Sequence, residues 1–195
     1  MLSRESAIGF LGEKVANKNI IKHMLATEVL MGGVYDFLRE RGETDLGGTK
    51  EEWMMAGLLH DGDYSEEVPA SRQGVQVTEW LRGRGMEVPG NVAGAMAAHN
   101  AGNTGVKPVT KMDWAMFCGD SLTGLIVAAA LVLPSRKLSD LTVESVLRRF
   151  REKSFARGTR REDIELCGEN LGVPLEEFVK IGLTVMQKIS GSLGL

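Results

Sequence analysis

The chain contains only three histidines, His23, His60 and His99, and each falls on the apolar side of a helical pattern. His23 shares its face with Ile20, Ala26, Thr27, Leu30 and Val34, His60 with Trp53, Ala56 and Gly57, and His99 with Val92, Ala95 and Met96. Asp120 is placed in the same way, with Thr123, Gly124 and Val127 following at helical spacing. A lone histidine in such a position is most simply one satisfied by a backbone carbonyl. A carboxylate is harder to accommodate, because an ionised group withdrawn from water is strongly penalised unless it is paired or bound to a metal. No lysine or arginine lies within a helical turn of Asp120, so its partner comes from elsewhere in the fold or is a cation. One divalent ion would answer all of these demands. Neutral imidazoles and carboxylates form a mixed nitrogen and oxygen set that suits Mn, Fe, Co, Ni or Zn, with Mg a further candidate. His60 and Asp61 are adjacent and project about 100° apart on a regular helix. Both reach one ion only near a helix end, where Gly62 puts them.

The elements that must carry these residues are helices. Apolar residues recur at helical spacing almost throughout, and no alternating strand pattern is present. The fold expected is an all-α helical bundle of a single domain, since 195 residues is near the upper limit for one core. A core over about 14–135 would be followed by a helical extension over about 136–195. The first helix is predicted over 13–41, ending at Gly42. Thr49 and Glu52 form a capping box for a second helix that runs to His60 or Asp61. A third covers 69–84, and Pro89 opens a fourth that ends near His99. Thr110 and Asp113 would cap a long helix ending before Pro134, and a sixth, amphipathic segment covers 142–153. Thr159 and Glu162 form another capping box, and the last helices flank Gly172-Val173-Pro174. Gly57, Gly94, Gly119 and Gly124 fall inside predicted helices, where each costs up to about 1 kcal/mol against alanine. Close helix–helix approach is one reason to tolerate them.

Composition narrows the partners. With 23 basic and 26 acidic residues the formal net charge is -3, which argues against general nucleic-acid binding but leaves room for a small basic phosphate pocket. Cys118 and Cys167 have no CxxC neighbours, so a disulfide framework is not expected and a reducing cytoplasm is the natural setting. The N-terminal residues lack the apolar core and cleavage site of a signal peptide. The most apolar run, 122–133, falls short of the roughly 20 residues of a membrane span, so no membrane partner is expected. No motif speaks to oligomeric state.

The segment MMAGLLHDGDY resembles the defining motif of the HD superfamily, a helix ending in adjacent His and Asp. The matching upstream histidine is His23 in NIIKHMLATEVLM, and the matching downstream aspartate is Asp120 in FCGDSLTGLIVAAAL. Further likeness to the bacterial and archaeal HDIG-domain proteins lies in AAHN around His99, in PSRKLSDLTVESVLRRFREKSFARGTRRED and in the final helix, so the resemblance covers about 14 to the C-terminal residue. It implies an HD-domain helical bundle with a metal at its centre, held by His23, His60, Asp61 and Asp120. The implied activity is hydrolysis of a small phosphorylated substrate, a nucleotide or another phosphate ester, by a metal-activated water. Similar proteins often carry a histidine where this chain has Gln73, before Gly74, so one ion rather than two is expected.

In that frame Asp61 or Asp63 would accept the proton of the attacking water, Asp63 being otherwise an exposed turn residue. Glu66 and Glu67 are looser matches for the same task. His99 would bind phosphate, protonate the leaving group, or donate a hydrogen bond behind the ligands. Arg72, Lys107 and Lys111 are candidates to neutralise phosphate, against a reading of each as solvated charge. Gln73 also supports an alternative, a non-catalytic regulatory module that binds metal and nucleotide. A third reading is a metal-free helical protein whose Arg148, Arg149, Arg151, Arg157, Arg160 and Arg161 form a partner surface.

Overall fold

Side-chain caps at the helix starts set the frame of the computed structural model, which describes residues 2–195. The hydroxyl of Ser3 accepts the N–H of Ser6 and opens α1 (Arg4–Lys14). Asn17 then accepts the N–H of Asn19 and opens α2 (Lys18–Glu40). The single helix predicted from residue 13 is therefore broken: Val15 and Asn17 are extended, and the asparagine cap that starts α2 outweighs the continuous apolar periodicity. The capping box of Thr49 and Glu52 forms in full and opens α3 (Lys50–Leu59). The helix predicted over 69–84 is divided. A short 3-10 turn at Ala70–Arg72 is followed by Gly74 at φ +87°, a left-handed conformation that favours glycine, and only then by α4 (Gln76–Gly83).

Pro89 precedes α5 (Gly90–His99), and a single turn, α6 (Ala101–Thr104), follows it. Thr110 and Asp113 exchange both capping bonds at the start of α7 (Lys111–Leu131). Thr142 caps α8 (Val143–Arg151). The box expected from Thr159 and Glu162 does not form: α9 (Arg161–Glu165) starts one residue later, from Arg160, with no side-chain cap. The chain ends in α10 (Cys167–Leu171), α11 (Leu175–Lys188) and the short α12 (Ser190–Leu193). No strand occurs among the described residues.

The buried apolar residues form one cluster from Leu2 to Leu193, so the segment after residue 135 shares the core. α2 packs along α3, and both α2 and α11 lie against α7, which also meets α5, α8, α9 and α10. Two helical glycines explain how closely the axes approach. A Cβ on Gly57 would stand 2.7 Å from the Thr27 carbonyl oxygen, and one on Gly119 would stand 2.7 Å from Leu30 Cδ2. Gly94 and Gly124 have nothing comparable around them, so close packing does not account for those two. α7 is long and apolar enough by length and composition to cross a membrane, and 61% of that stretch is buried inside the bundle. Beside the Gly57 contact, the buried carboxylate of Glu28 takes two hydrogen bonds from Arg4, at 2.6 and 2.9 Å, which tie α1 to α2.

Candidate metal centre

Four helices deliver the site. His23 stands in the second turn of α2, His60 and Asp61 at the C-terminal end of α3, Asp120 in the middle of α7 and His99 at the end of α5. The Gly57 contact brings α3 onto α2 one turn from His23 on one helix and one turn from His60 on the other. His23 Nε2 lies 3.1 Å from His60 Nε2 and 2.9 Å from Asp120 Oδ1. Asp61 Oδ2 lies 3.7 Å from His23 Nε2 and 3.6 Å from His60 Nε2, while Asp120 Oδ1 is 3.7 Å from His60 Nε2. One donor atom each from His23, His60 and Asp61 falls within a 4.8 Å group. Asp120 is not part of that group, although its Oδ1 lies 2.9 and 3.7 Å from the two histidine Nε2 atoms.

The far sides of the rings fix their tautomers. His60 Nδ1 faces the Gly57 carbonyl at 2.9 Å, and a carbonyl only accepts, so this nitrogen carries the proton. Thr123 donates its hydroxyl hydrogen to the Asp120 carbonyl, and its oxygen, 3.1 Å from His23 Nδ1, is free to accept from that ring. With both Nδ1 atoms protonated, two Nε2 lone pairs point at each other across 3.1 Å. That arrangement is repulsive unless a proton or a metal ion lies between them, and it is how metal-binding histidines are usually oriented from behind. Bonds of ~2.1 Å separate neighbouring donors by ~3.0 Å in an octahedron and ~3.4 Å in a tetrahedron. The donor separations here span that range, so the residues fit a divalent ion.

Without an ion, protons take up the compensation. Burial alone would lower the pKa of His23, but the hydrogen bond to Asp120 and the charges of Asp120 and Asp61 raise it above the usual histidine range. Burial would raise Asp120, yet the bonds and charges of His23 and His60 hold it well below the usual carboxylate range. Asp61 is lowered as well, burial being outweighed by the charge of His60 and the bond to His99. His99 is raised: burial opposes this, and Asp61 and Asp120 prevail. His99 is almost wholly buried, gives its Nδ1 proton to the Met96 carbonyl and turns Nε2 to Asp61 Oδ1 at 3.5 Å. It thus contacts the Asp61 oxygen other than the one nearest His23 and His60, and its ring stands edge-on to that of His60 at 4.9 Å.

The other candidates are placed elsewhere or otherwise engaged. Asp63 is neither exposed nor turned to the histidines. It is 1% exposed, and its carboxylate accepts the N–H groups of Gly74 at 2.9 and 3.0 Å and of Val77 at 2.8 Å. A carboxylate so committed to backbone donors anchors the start of α4 and is poorly placed to take a proton from water, although burial raises its pKa. Gln73 donates to the Val68 carbonyl and lines a separate cavity with Tyr64 and Glu66. Glu67 is exposed. Arg72 pairs with Glu79 and Gln76, and Lys111 lies against the Leu171 carbonyl and Glu43. Lys107 is exposed in the segment between α6 and α7. None of these three cations joins the metal-ligand group.

The arginine-rich segment supplies what the sequence did not assign. Arg160 Nη2 donates to Asp120 Oδ2 at 3.0 Å, and its Nε lies 2.6 Å from Asp163. Asp120 thus has a cationic partner as well as the histidines, and it comes from 40 residues away. Arg161 turns inward and donates to the carbonyls of Arg149, Phe150, Glu152, Phe155 and Thr159, folding the loop before α9 around itself. Arg161 is thereby engaged with backbone, while Arg160, bonded to Asp120 and Asp163, keeps 42% of its side chain exposed. Arg148, Arg151 and Arg157 are exposed. Arg157 lines an open cleft of about 350 Å³ together with His23, Asp120, Ser121, Thr159 and Arg160. No family model, curated protein or solved structure matches the chain.

Proposed function

We propose that this protein is a metal-dependent phosphohydrolase of the HD superfamily, acting on a small phosphate ester such as a nucleotide. One observation carries the reading: two imidazole Nε2 atoms 3.1 Å apart, beside Asp61 and Asp120, in a cleft that also holds arginine. His23, His60, Asp61 and Asp120 would hold one divalent ion. Such an ion supplies a water of lowered pKa and polarises a phosphoryl oxygen. In this reading Asp61 is the group that takes up the proton of the attacking water, with His99 fixing its orientation from behind. Asp63 keeps α4 seated against the turn that follows α3. Arg160 steadies Asp120, and Arg157, which pairs with no carboxylate among the described residues, neutralises the phosphoryl charge in the cleft.

The test is metal analysis of the purified protein, followed by assays on nucleotides and simple phosphate esters with Mn, Co, Ni or Mg. Stoichiometric metal and turnover lost in His60→Ala and Asp61→Ala are expected. Turnover unchanged in those variants overturns the mechanism. The placement of Gln73, bonded to Val68 rather than turned to the ligands, favours one ion and keeps a second reading in view, a metal-holding regulatory module. Nucleotide-induced thermal stabilisation without turnover under any metal would decide for it.

A further inference from the structure

Gly124 stands one turn beyond Asp120 on α7, exposed, in a helix interior where glycine is disfavoured. Nothing in the fold explains it, since a Cβ there would meet no atom within 4 Å. What surrounds it is open space on both sides. The cleft of Arg157, Thr159 and Asp120 reaches Gly124 from one direction. A second cleft, also about 350 Å³, reaches it from the other and is lined by Val127, Leu131 and Leu193, with Lys22 and His23. The two share His23 and Gly124. One is polar and cationic beside the metal ligands; the other is largely apolar, and Leu131 is 49% exposed although it belongs to the most apolar helix of the fold.

We propose that Gly124 is the saddle over which the substrate lies, and that the substrate is a phosphomonoester with a bulky apolar or aromatic organic group. The phosphate sits by Arg157 and the metal ligands, and the organic group crosses Gly124 into the cleft of Val127, Leu131 and Leu193. Any side chain at 124 would stand in that path without disturbing the packing beneath it. The residue thus determines specificity, and the absence of a Cβ is what it contributes. This inference rests on the phosphohydrolase reading for the position of the phosphate.

Binding of non-hydrolysable phosphonates to the metal-loaded protein, measured by calorimetry, tests it. Methylphosphonate reports the phosphate subsite alone, and 1-naphthylmethylphosphonate reports both clefts. The wild type should bind the naphthyl compound at least about ten-fold more tightly, the scale of a well-filled apolar pocket. Gly124→Leu should remove that advantage, lowering naphthyl affinity by a much larger factor than methylphosphonate affinity, with metal content unchanged. Arg157→Ala should weaken both compounds by a similar factor. Gly124→Ala, which adds a better helix former in open space, should raise Tm and shows that the fold accepts a side chain there. Equal affinity for the two phosphonates in the wild type, or an equal loss for both in Gly124→Leu, overturns the inference and leaves the functional reading standing. A wild type that takes up no metal overturns both.

Discussion

The junction of α2 with α3 and the loop leading into α9 both supply the candidate site, and they are built on opposite principles. At the junction, backbone meets backbone over Gly57, and the ligands His23 and His60 are carried there by rigid helices. In the loop, one inward-turned arginine gathers five carbonyls, and the residues that reach the cleft, Arg157 and Arg160, hang from that knot. The contrast teaches that the metal ligands should be intolerant of added volume, whereas the cationic side of the site should depend on one polar hub.

The comparison can be broken first at Gly57. Gly57→Ala puts a methyl group 2.7 Å from a backbone oxygen that cannot rotate away, so α2 and α3 must separate. A loss of about 3 kcal/mol in urea unfolding is expected, together with loss of metal. Wild-type metal content in this variant would show that the junction yields more readily than its geometry implies. Arg161→Ala attacks the other region. It should cost about 2 kcal/mol and weaken anion binding while leaving metal content intact, because none of the four ligands touches it. Asp63→Ala lies between the two. Losing the acceptor for Gly74 and Val77 should cost about 1 kcal/mol, as for a helix cap, with turnover falling no further than stability explains; a far larger loss of turnover would return Asp63 to the chemistry.

Proton competition sharpens the junction side. Metal must displace the proton that His23 holds in the metal-free protein, and that pKa is raised. Metal affinity should therefore fall as pH drops through the raised value, beginning at higher pH than for an ordinary histidine, by about ten-fold per unit for each proton displaced. A titration flat from pH 8 to 6 would contradict the assigned ligand. The smallest effect is expected at the cysteines. Burial pushes the Cys167 thiol up to about 11 and Cys118 higher still, so neither should react with iodoacetamide at pH 8 until the protein unfolds.

The all-helical fold and the meeting of His23, His60 and Asp120 were legible because they are written in local pattern. A polar residue on an apolar helical face is a sequence-level anomaly, and His23, His60, His99 and Asp120 all show it. The caps at Thr49 and Thr110 are equally local. What stayed hidden depends on contacts between distant segments. Thr159 and Glu162 have the residues of a capping box, yet α9 begins past Thr159 because Arg161 binds the preceding loop, including the Thr159 carbonyl itself. Asp63 reads as a surface turn because its partners, Gly74 and Val77, lie 11 and 14 residues on, past a turn. Arg160 looks like one charge in a basic run, and nothing near it in sequence signals a bond to Asp120. The break at Asn17 was missed for another reason: apolar spacing continues across it, and only the asparagine marks the interruption.

The bond chain from His23 Nδ1 through the Thr123 hydroxyl to the Asp120 carbonyl, with Thr27 Oγ1 3.4 Å from the same hydroxyl, works as a key between α2 and α7. It joins the back of one ligand to the peptide of another. If either helix slid along the other by even one residue, the imidazole would lose its tautomer and Asp120 its station in the same movement. Helix register and ion occupancy are thereby one variable, and a bound ion would act as a bolt across the pair of longest helices in the molecule.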